Sequence, residues 1–377
     1  MILPEATLGV LGGGQLGRMF TMAARTMGYK VIVLDPDPMS PAGELADEHL
    51  QREFLDPEAL AYLASQCDAV TTEFENVPVE ALRRVESECL VRPGAAAVEY
   101  TQDRIREKTF IRDCGLATAP FHPVRDEKDL EAALAAVRLP AILKTAALGY
   151  DGKGQRSVCD LAQAHTAFAE LGNKPCVLEE RVDLQMELAL LVARSSRGET
   201  VFYPPSENVH VHGVLDASIV PARISSDITE HARTMAYTLA EQLDYCGVLA
   251  VEFFLTTSNN LLINEIAPRP HNSGHFSLDA CLTSQFEQQV RMLCGLPPGE
   301  TRLLSAVVMI NLLGDLWQSR APDWSKVLIY PDVKLHLYGK QIARPGRKMG
   351  HYNVLAVDVE QALDLAGRIR GVLGPDG

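Results

Sequence analysis

No stretch of this 377-residue chain carries the ~20 consecutive apolar residues that a membrane span needs; MELALLVA is short and interrupted by Glu187. Cationic excess is lacking as well. With 49 acidic against 35 basic residues the formal charge is −14, which excludes the net basic face of a general nucleic-acid or membrane-surface binder. A small anionic ligand needs only a local cationic pocket and stays open. The eight cysteines (67, 89, 114, 159, 176, 246, 281 and 294) contain no C-x-x-C, so neither zinc nor a disulfide framework is expected, and reduced thiols in a cytosol are the natural expectation. The opening MILPEAT has no basic n-region, so no secretory leader is expected. Internal repeats and low-complexity tracts are lacking too.

What is present begins with an α/β alternation over the first hundred residues. LGVL, KVIVLD and AVTTEF (69–74) read as strands, and Gln15–Met27 as a helix closed by Gly28. Gly12, Gly14 and Gly17 fit the dinucleotide spacing G-x-G-x-x-G, and Asp35 ends the next strand where a ribose-binding acid would sit. The motif alone is weak. Gly12–Gln15, Asp35 and the cluster Glu73, Glu75, Asn76 all fall at strand ends, where a parallel sheet places ligands. A second region starts near VRPG (91–94), and DRIREKTFIRDCG predicts a helix capped by Gly115. There follow a strand in AILKT, a helix near 160–171, strands in CVLEE and MELALLVARS, and a helix around 227–244. GVLAVEFFLTTSNNLLINEIAP reads as a hairpin leading to a helix at 276–293. LPPG (296–299) marks a third boundary, with strands in SAVVMINLLG and VKLHLYGK and a last helix near 360–372. The expected domains are 1–100, 101–298 and 299–377.

Centring the hairpin turn on Ser258-Asn259 sets Glu252 opposite Glu265 on one side of the sheet. Opposed carboxylates in apolar strands repel by an order of ~1 kcal/mol or more, a conflict that a divalent cation removes. Hard oxygen ligands with no nearby His or Cys favour Mg²⁺ or Mn²⁺; a solvated rim pair is the alternative, and a one-residue bulge would break the pairing. In KTAALGYDGKGQ (144–155), Lys144 ends a strand before Gly149, Gly152 and Gly154, a loop either shaped for phosphate or an ordinary surface turn. CVLEERV ends in Glu179, Glu180 and Arg181, where backbone groups can meet an adenine edge, with Glu187 for ribose hydroxyls; a solvated strand end is the alternative. APRPHNSGH (267–275) gathers Arg269, His271, Asn272, Ser273 and His275, donors for phosphate or carboxylate beside Glu265. His271 is a hydrogen-bonding group or a general base. ARPGRKMGH (343–351) adds Arg344, Arg347 and Lys348, a phosphate clamp or a solvated turn.

In order along nearly the whole chain, GGGQLGRM, TTEFENVP, QDR…EK, GYDGKGQ, FYPPSENVH, INEIAPRPHNSGH and RPGRKMGH resemble the ATP-grasp superfamily. Within it they resemble the 5-(carboxyamino)imidazole ribonucleotide synthetase family of ATP-dependent carboxylases of purine biosynthesis. Leu148 departs from that pattern, which has a second glycine before Gly149. The resemblance implies an α/β ATP-grasp fold with a Rossmann-like N-terminal domain, a lid about 120–185 and a small β-rich C-terminal domain. It implies ATP with Mg²⁺ or Mn²⁺, without NAD or biotin.

By the same resemblance, Arg104, Lys144 and the loop Gly149, Tyr150, Asp151, Gly152, Lys153, Gly154, Gln155 hold the ATP phosphates. Glu179, Glu180, Arg181, Val182 and Glu187 frame adenine and ribose, with His210 and Asn264 nearby. Glu252 and Glu265 bind the metal, Glu265 also facing ATP. Gln15, Glu73 and Asn76 line the pocket for aminoimidazole ribonucleotide, which makes the glycine turn a substrate wall. Tyr150, Asp151, Arg269, His271, Asn272 and Ser273, with Lys340, Arg347 and Lys348, meet bicarbonate or that acceptor. Lys144, Tyr150, Arg269 and His271 form the implied catalytic group. A cytoplasmic homodimer without nucleic-acid or membrane partners is implied. The rivals are another ATP-grasp ligase such as the formate-dependent glycinamide ribonucleotide transformylase, an NAD-dependent oxidoreductase, and a nucleotide-binding regulatory subunit without turnover.

Overall fold

Runs such as LGVL, VIVL and AVTT carry no charge and are buried at every position, which suits strands covered by helices on both faces. In the computed structural model, which describes residues 1–147, 149, 154–318 and 321–373, they form a parallel five-stranded sheet. Its order is Glu48–Leu50, Lys30–Leu34, Thr7–Leu11, Ala69–Thr72, Leu90–Val91. The winding reverses between Thr7–Leu11 and Ala69–Thr72, so the glycine turn and Glu73 flank the switch-point crevice. Gly17 permits a close approach here. A Cβ at that position would lie 2.8 Å from the carbonyl oxygen of Gly12.

Helix Arg104–Asp113 starts where the Asp103 carboxylate accepts from the amides of Ile105 and Arg106, and closes at Gly115 with φ +75°. Beyond it lies a four-stranded antiparallel sheet ordered Phe121–Val124, Cys176–Glu180, Ala141–Thr145, Gln155–Val158. Helices Asp129–Ala136 and Leu161–Glu170 cover it, and its core is drawn wholly from residues 124–178, with Leu130, Leu143, Phe168 and Leu178 fully or almost fully buried.

The third sheet has nine strands. Its path runs Leu261–Ala267, Gly247–Thr256, Leu184–Arg194, Ser206–Val211, Val214–Val220, Ala306–Leu313, Lys348–Ala356, Val333–Leu337, with Thr200–Phe202 paired on Leu184–Arg194. Antiparallel pairing of Val214–Val220 with Ala306–Leu313 carries this sheet across residue 299. The helix expected at 276–293 is broken into Ser277–Ala280 and Gln285–Leu293. Cys281 is extended and bridges to Leu303, and Ser284 then caps the second helix by accepting from the amide of Glu287. Residues 348–356, of which the sequence suggested only the basic end, form a strand buried along most of its length.

Candidate active site

A cavity of about 1470 Å³ is lined by loops and strands of all three sheets. The hairpin supplies its acidic wall. From the turn at Thr256–Asn260 the pairs are Leu255 with Leu261, Phe254 with Leu262 and Phe253 with Ile263; the register then shifts and Glu252 meets Glu265. Regular pairing from that turn would have set Glu252 opposite Asn264. The extra residue at the bulge restores the two glutamates, so the irregularity that was expected to break the pair creates it.

The two carboxylates are not equivalent. Burial raises the pKa of Glu265, but Arg104, whose Nη1 donates to Oε2 at 2.9 Å, outweighs it and holds the group below its usual range. Glu252 has no such partner among the described residues, and burial followed by the Glu265 charge pushes it up to about 7. Asn264 donates from Nδ2 to Glu252 Oε2 at 3.4 Å, while its Oδ1 is buried without a partner among the described residues. Two opposed carboxylates beside an unpaired carbonyl oxygen form a hard-oxygen set that fits Mg²⁺ or Mn²⁺. No cluster of three or more His, Cys, Asp or Glu with metal-holding geometry occurs among the described residues, so ligand oxygens and water would complete the shell. Contrary to expectation a histidine is close: His271 Nε2 lies 3.5 Å from Glu252 Oε1.

Lys144 extends from its strand to donate to Glu179 Oε2 at 2.8 Å. Burial works against the charge on Glu179, yet Lys108 and Lys144 hold its pKa at about 2. The carboxylate is thus committed to two lysines, while Glu179, whose strand end was expected to meet adenine through its backbone, lines the cavity. Glu180 accepts from Arg138 Nε at 3.0 Å, and Glu187 Oε2 lies 2.7 Å from His210 Nδ1. Burial lowers the His210 pKa, but the Glu187 contact outweighs it and raises it. Gly149, Gln155, Arg181 and Val182 line the same cavity. Gly154 does not; at φ +76° it makes the turn into its strand. Leu148, Tyr150, Asp151, Gly152 and Lys153 lie outside the described residues.

Across the cavity, Glu73 accepts from the amides of Gly14 at 2.7 Å and Gly17 at 2.9 Å, and Asp35 accepts from Gly13 at 2.6 Å. The helix start that would cradle a pyrophosphate is thus filled by the chain's own carboxylates. Glu73, its pKa raised by burial, caps these amides and lines the cavity. Gln15 Oε1 accepts from Lys340 Nζ, which also donates to the carbonyl of Lys348 at 2.7 Å. Asn76, Arg344 and Arg347 complete this wall, and Arg347 donates to the carbonyl of Ile342 at 2.8 Å.

Arg269 Nε donates to Glu75, whose pKa it holds at about 2 against the effect of burial. Gln285 clamps the backbone of His271 at both ends, accepting from its N–H and donating to its C=O, each at 2.8 Å. Burial, then the charges of Arg269 and Lys348, push the His271 ring down to about 3, so it is neutral at pH 7. Two expected substrate contacts also have partners within the protein, Asn272 while lining the cavity. Ser273 is 1% exposed and hydrogen-bonds His271 Nδ1 at 2.8 Å, and Asn272 forms a reciprocal amide pair with Asn311.

The chain matches three family models: a ribonucleotide synthetase preATP-grasp domain over residues 5–102, an ATP-grasp domain over 109–286, and a phosphoribosylaminoimidazole carboxylase C-terminal domain over 307–364. It is 44% identical over 351 residues to the N5-carboxyaminoimidazole ribonucleotide synthase of Bacillus subtilis (strain 168), covering 93% of this chain and 92% of that one. Identity to the enzyme of the same name from Brucella melitensis is 46% over 353 residues, 92% and 96% of the two chains. The chain belongs to the N5-carboxyaminoimidazole ribonucleotide synthetase family. A synthetase of this name solved as an ADP complex superposes with a TM-score of 0.92 at 42% identity, covering 98% of this chain and 97% of that one. The Aspergillus clavatus synthase in complex with ADP and 5-aminoimidazole ribonucleotide gives 0.90 at 31% identity, over 98% of each. The α/β ATP-grasp architecture expected for the chain is the one this family has.

Within this synthetase, the sequence left four structural partners of the site without a role. Glu75 stood in the strand-end cluster, but its partner Arg269 is 194 residues away. Glu107 and Lys108 were visible as the EK of QDR…EK; Glu107 accepts from the amide of Ile266 at 2.6 Å, next to Glu265. Gln285 carried no signal, since only folding brings it to His271.

Proposed function

We infer that this cavity performs ATP- and bicarbonate-dependent carboxylation of 5-aminoimidazole ribonucleotide, releasing ADP and phosphate, a carbon–nitrogen ligase step of de novo purine (IMP) synthesis. The observation that carries the inference is the bulged Glu252–Glu265 pair, which shares one cavity with Arg104, Lys144 and the basic residues Lys340, Arg347 and Lys348. A bicarbonate oxygen attacks the γ-phosphorus of ATP, the bond to ADP breaks, and carboxyphosphate forms. The exocyclic amine of the ribonucleotide then attacks the carboxyl carbon, directly or after release as CO₂; the carbon–oxygen bond to phosphate breaks and the amine loses a proton. An anion approaching ATP meets like charge, and Arg104, Lys144 and Arg269 offset it. Glu252 and Glu265 would hold Mg²⁺ or Mn²⁺, which would supply further neutralisation and Lewis-acid polarisation. Neutral His271 accepts at Nδ1 from the amide of Ser273, which leaves its proton on Nε2 as a donor facing Glu252, and the amine proton leaves on the departing phosphate.

Water would destroy carboxyphosphate, so a lid is required, and the segment about 120–185, with its self-contained core, fits that role. Residues 1–100 then carry the acceptor wall, 101–298 the nucleotide site and 299–377 the cationic clamp. A cytoplasmic homodimer belongs to the same proposal. The eight cysteines are free, and no described helix is long and apolar enough to cross a membrane. The amides that a nicotinamide dinucleotide would need are occupied by Glu73 and Asp35, which counts against the oxidoreductase. The test is ADP release from ATP and the ribonucleotide with and without bicarbonate. Turnover that ignores bicarbonate, or that appears only with formate and glycinamide ribonucleotide, overturns the proposal.

A further inference from the structure

Lys108 is fully buried, four residues and one helical turn after Arg104, and is not among the residues that line the active-site cavity. Its Nζ donates to Thr118 Oγ1 at 3.1 Å, and Thr118 in turn donates to the carbonyl of Ile263 on the hairpin strand. The same ammonium lies 3.4 Å from Glu179 Oε2, the oxygen that accepts from Lys144 at 2.8 Å. Two ammonium groups therefore share one carboxylate that is 2% exposed. A buried lysine is costly and persists where something compensates for it. Among these three groups the carboxylate compensates for one cation and leaves one positive charge over. Of the two lysines only Lys144 reaches the cavity.

We propose that Lys108 is a positioning residue for the nucleotide site: it meets the charge of Glu179 from behind, so that the charge of Lys144 is left for the phosphates. Without Lys108, Lys144 and Glu179 form a neutral pair, and the site holds a lysine whose field is cancelled by its own neighbour. This rests on the nucleotide reading of the cavity given above. The experiment measures Mg·ADP dissociation constants by calorimetry for the wild type, Lys108→Met, Glu179→Gln and the double variant, with KM values for ATP and for the ribonucleotide. Lys108→Met is expected to weaken ADP binding and raise the ATP KM about tenfold, while the ribonucleotide KM stays within about twofold. Glu179→Gln on the Lys108→Met background is expected to recover most of that loss, because Lys144 is again unopposed.

A purely structural lysine would give a different pattern, with both KM values and the Tm moving together and no recovery in the double variant. If Lys108→Met does not fold, the comparison of Glu179→Gln with the wild type decides. With the carboxylate gone and both ammonium groups unopposed, an ADP affinity at or above that of the wild type supports the proposal, and a tenfold loss overturns it. Unchanged ADP affinity in a folded Lys108→Met also overturns it. Wild-type protein that takes up no ADP overturns the nucleotide reading itself, and the role of Lys108 with it.

Discussion

Replacing Glu75 by Gln tests how Arg269 is held over the reaction. Burial disfavours the charge on Glu75, but Arg269 outweighs it and brings the pKa from 4.5 to about 2. At about 1.4 kcal/mol per pH unit that is about 3 kcal/mol of interaction. The side chain is 26% exposed, so solvent screening reduces the expected loss to about 2 kcal/mol. Glutamine keeps the size and an acceptor but leaves the Arg269 guanidinium, 14% exposed, without its counter-charge.

The sign of the pH dependence follows from the depressed pKa. The contribution of Glu75 is complete above about pH 4.5 and is lost as pH falls towards 2. In urea denaturation followed by circular dichroism, the variant should therefore be less stable at pH 7, and the gap should narrow at pH 3.5. Because Arg269 is no longer oriented, kcat should fall about tenfold or more while the ATP KM changes little. A loss below about 0.5 kcal/mol at pH 7, or a gap that stays constant into acid, refutes the reasoning.

Three further outcomes are expected. Glu265→Gln should abolish bicarbonate-dependent ADP formation and weaken Mn²⁺ binding with the fold intact; near-normal turnover contradicts the metal assignment. Arg347→Ala should mainly raise the KM for the ribonucleotide, and an unchanged KM removes this residue from the clamp. Gly17→Ala sets a Cβ 2.8 Å from the Gly12 carbonyl and disturbs an amide that caps Glu73, so it should cost about 1–3 kcal/mol in a denaturant titration; neutral behaviour would mean that the turn yields without strain.

The parts of the fold that were legible are those written in local pattern. Strands such as LGVL and AILKT, the capped helix Arg104–Asp113 and the hairpin Gly247–Ala267 follow from runs, caps and turns a few residues long. The Glu252–Glu265 pair was legible for a partly wrong reason: the turn lies half a position earlier than assumed, and the bulge at Asn264 makes up the difference. Residues 348–356 looked like a basic turn because a strand buried on both faces has no alternation to reveal it. Roles that depend on a distant partner were not legible. Glu179 reads as a solvated or adenine-facing strand end until Lys108, 71 residues earlier, is placed against it.

The glycine motif shows most sharply why spacing alone stops short of chemistry. G-x-G-x-x-G specifies a tight turn and a helix whose first amides point outwards, and such amides attract any anion of suitable size. Whether that anion is a cofactor or part of the protein depends on what the neighbouring strand ends in. Here Ala69–Thr72 runs directly into Glu73, whose two oxygens take the amides of Gly14 and Gly17. The turn is thereby made rigid and electrically satisfied, and Gln15, the next residue along, is left facing the cavity with Lys340 as its partner. One carboxylate at the end of a parallel strand thus turns a phosphate cradle into a wall, and exchanging it for a neutral side chain of similar size would reopen the cradle to anions.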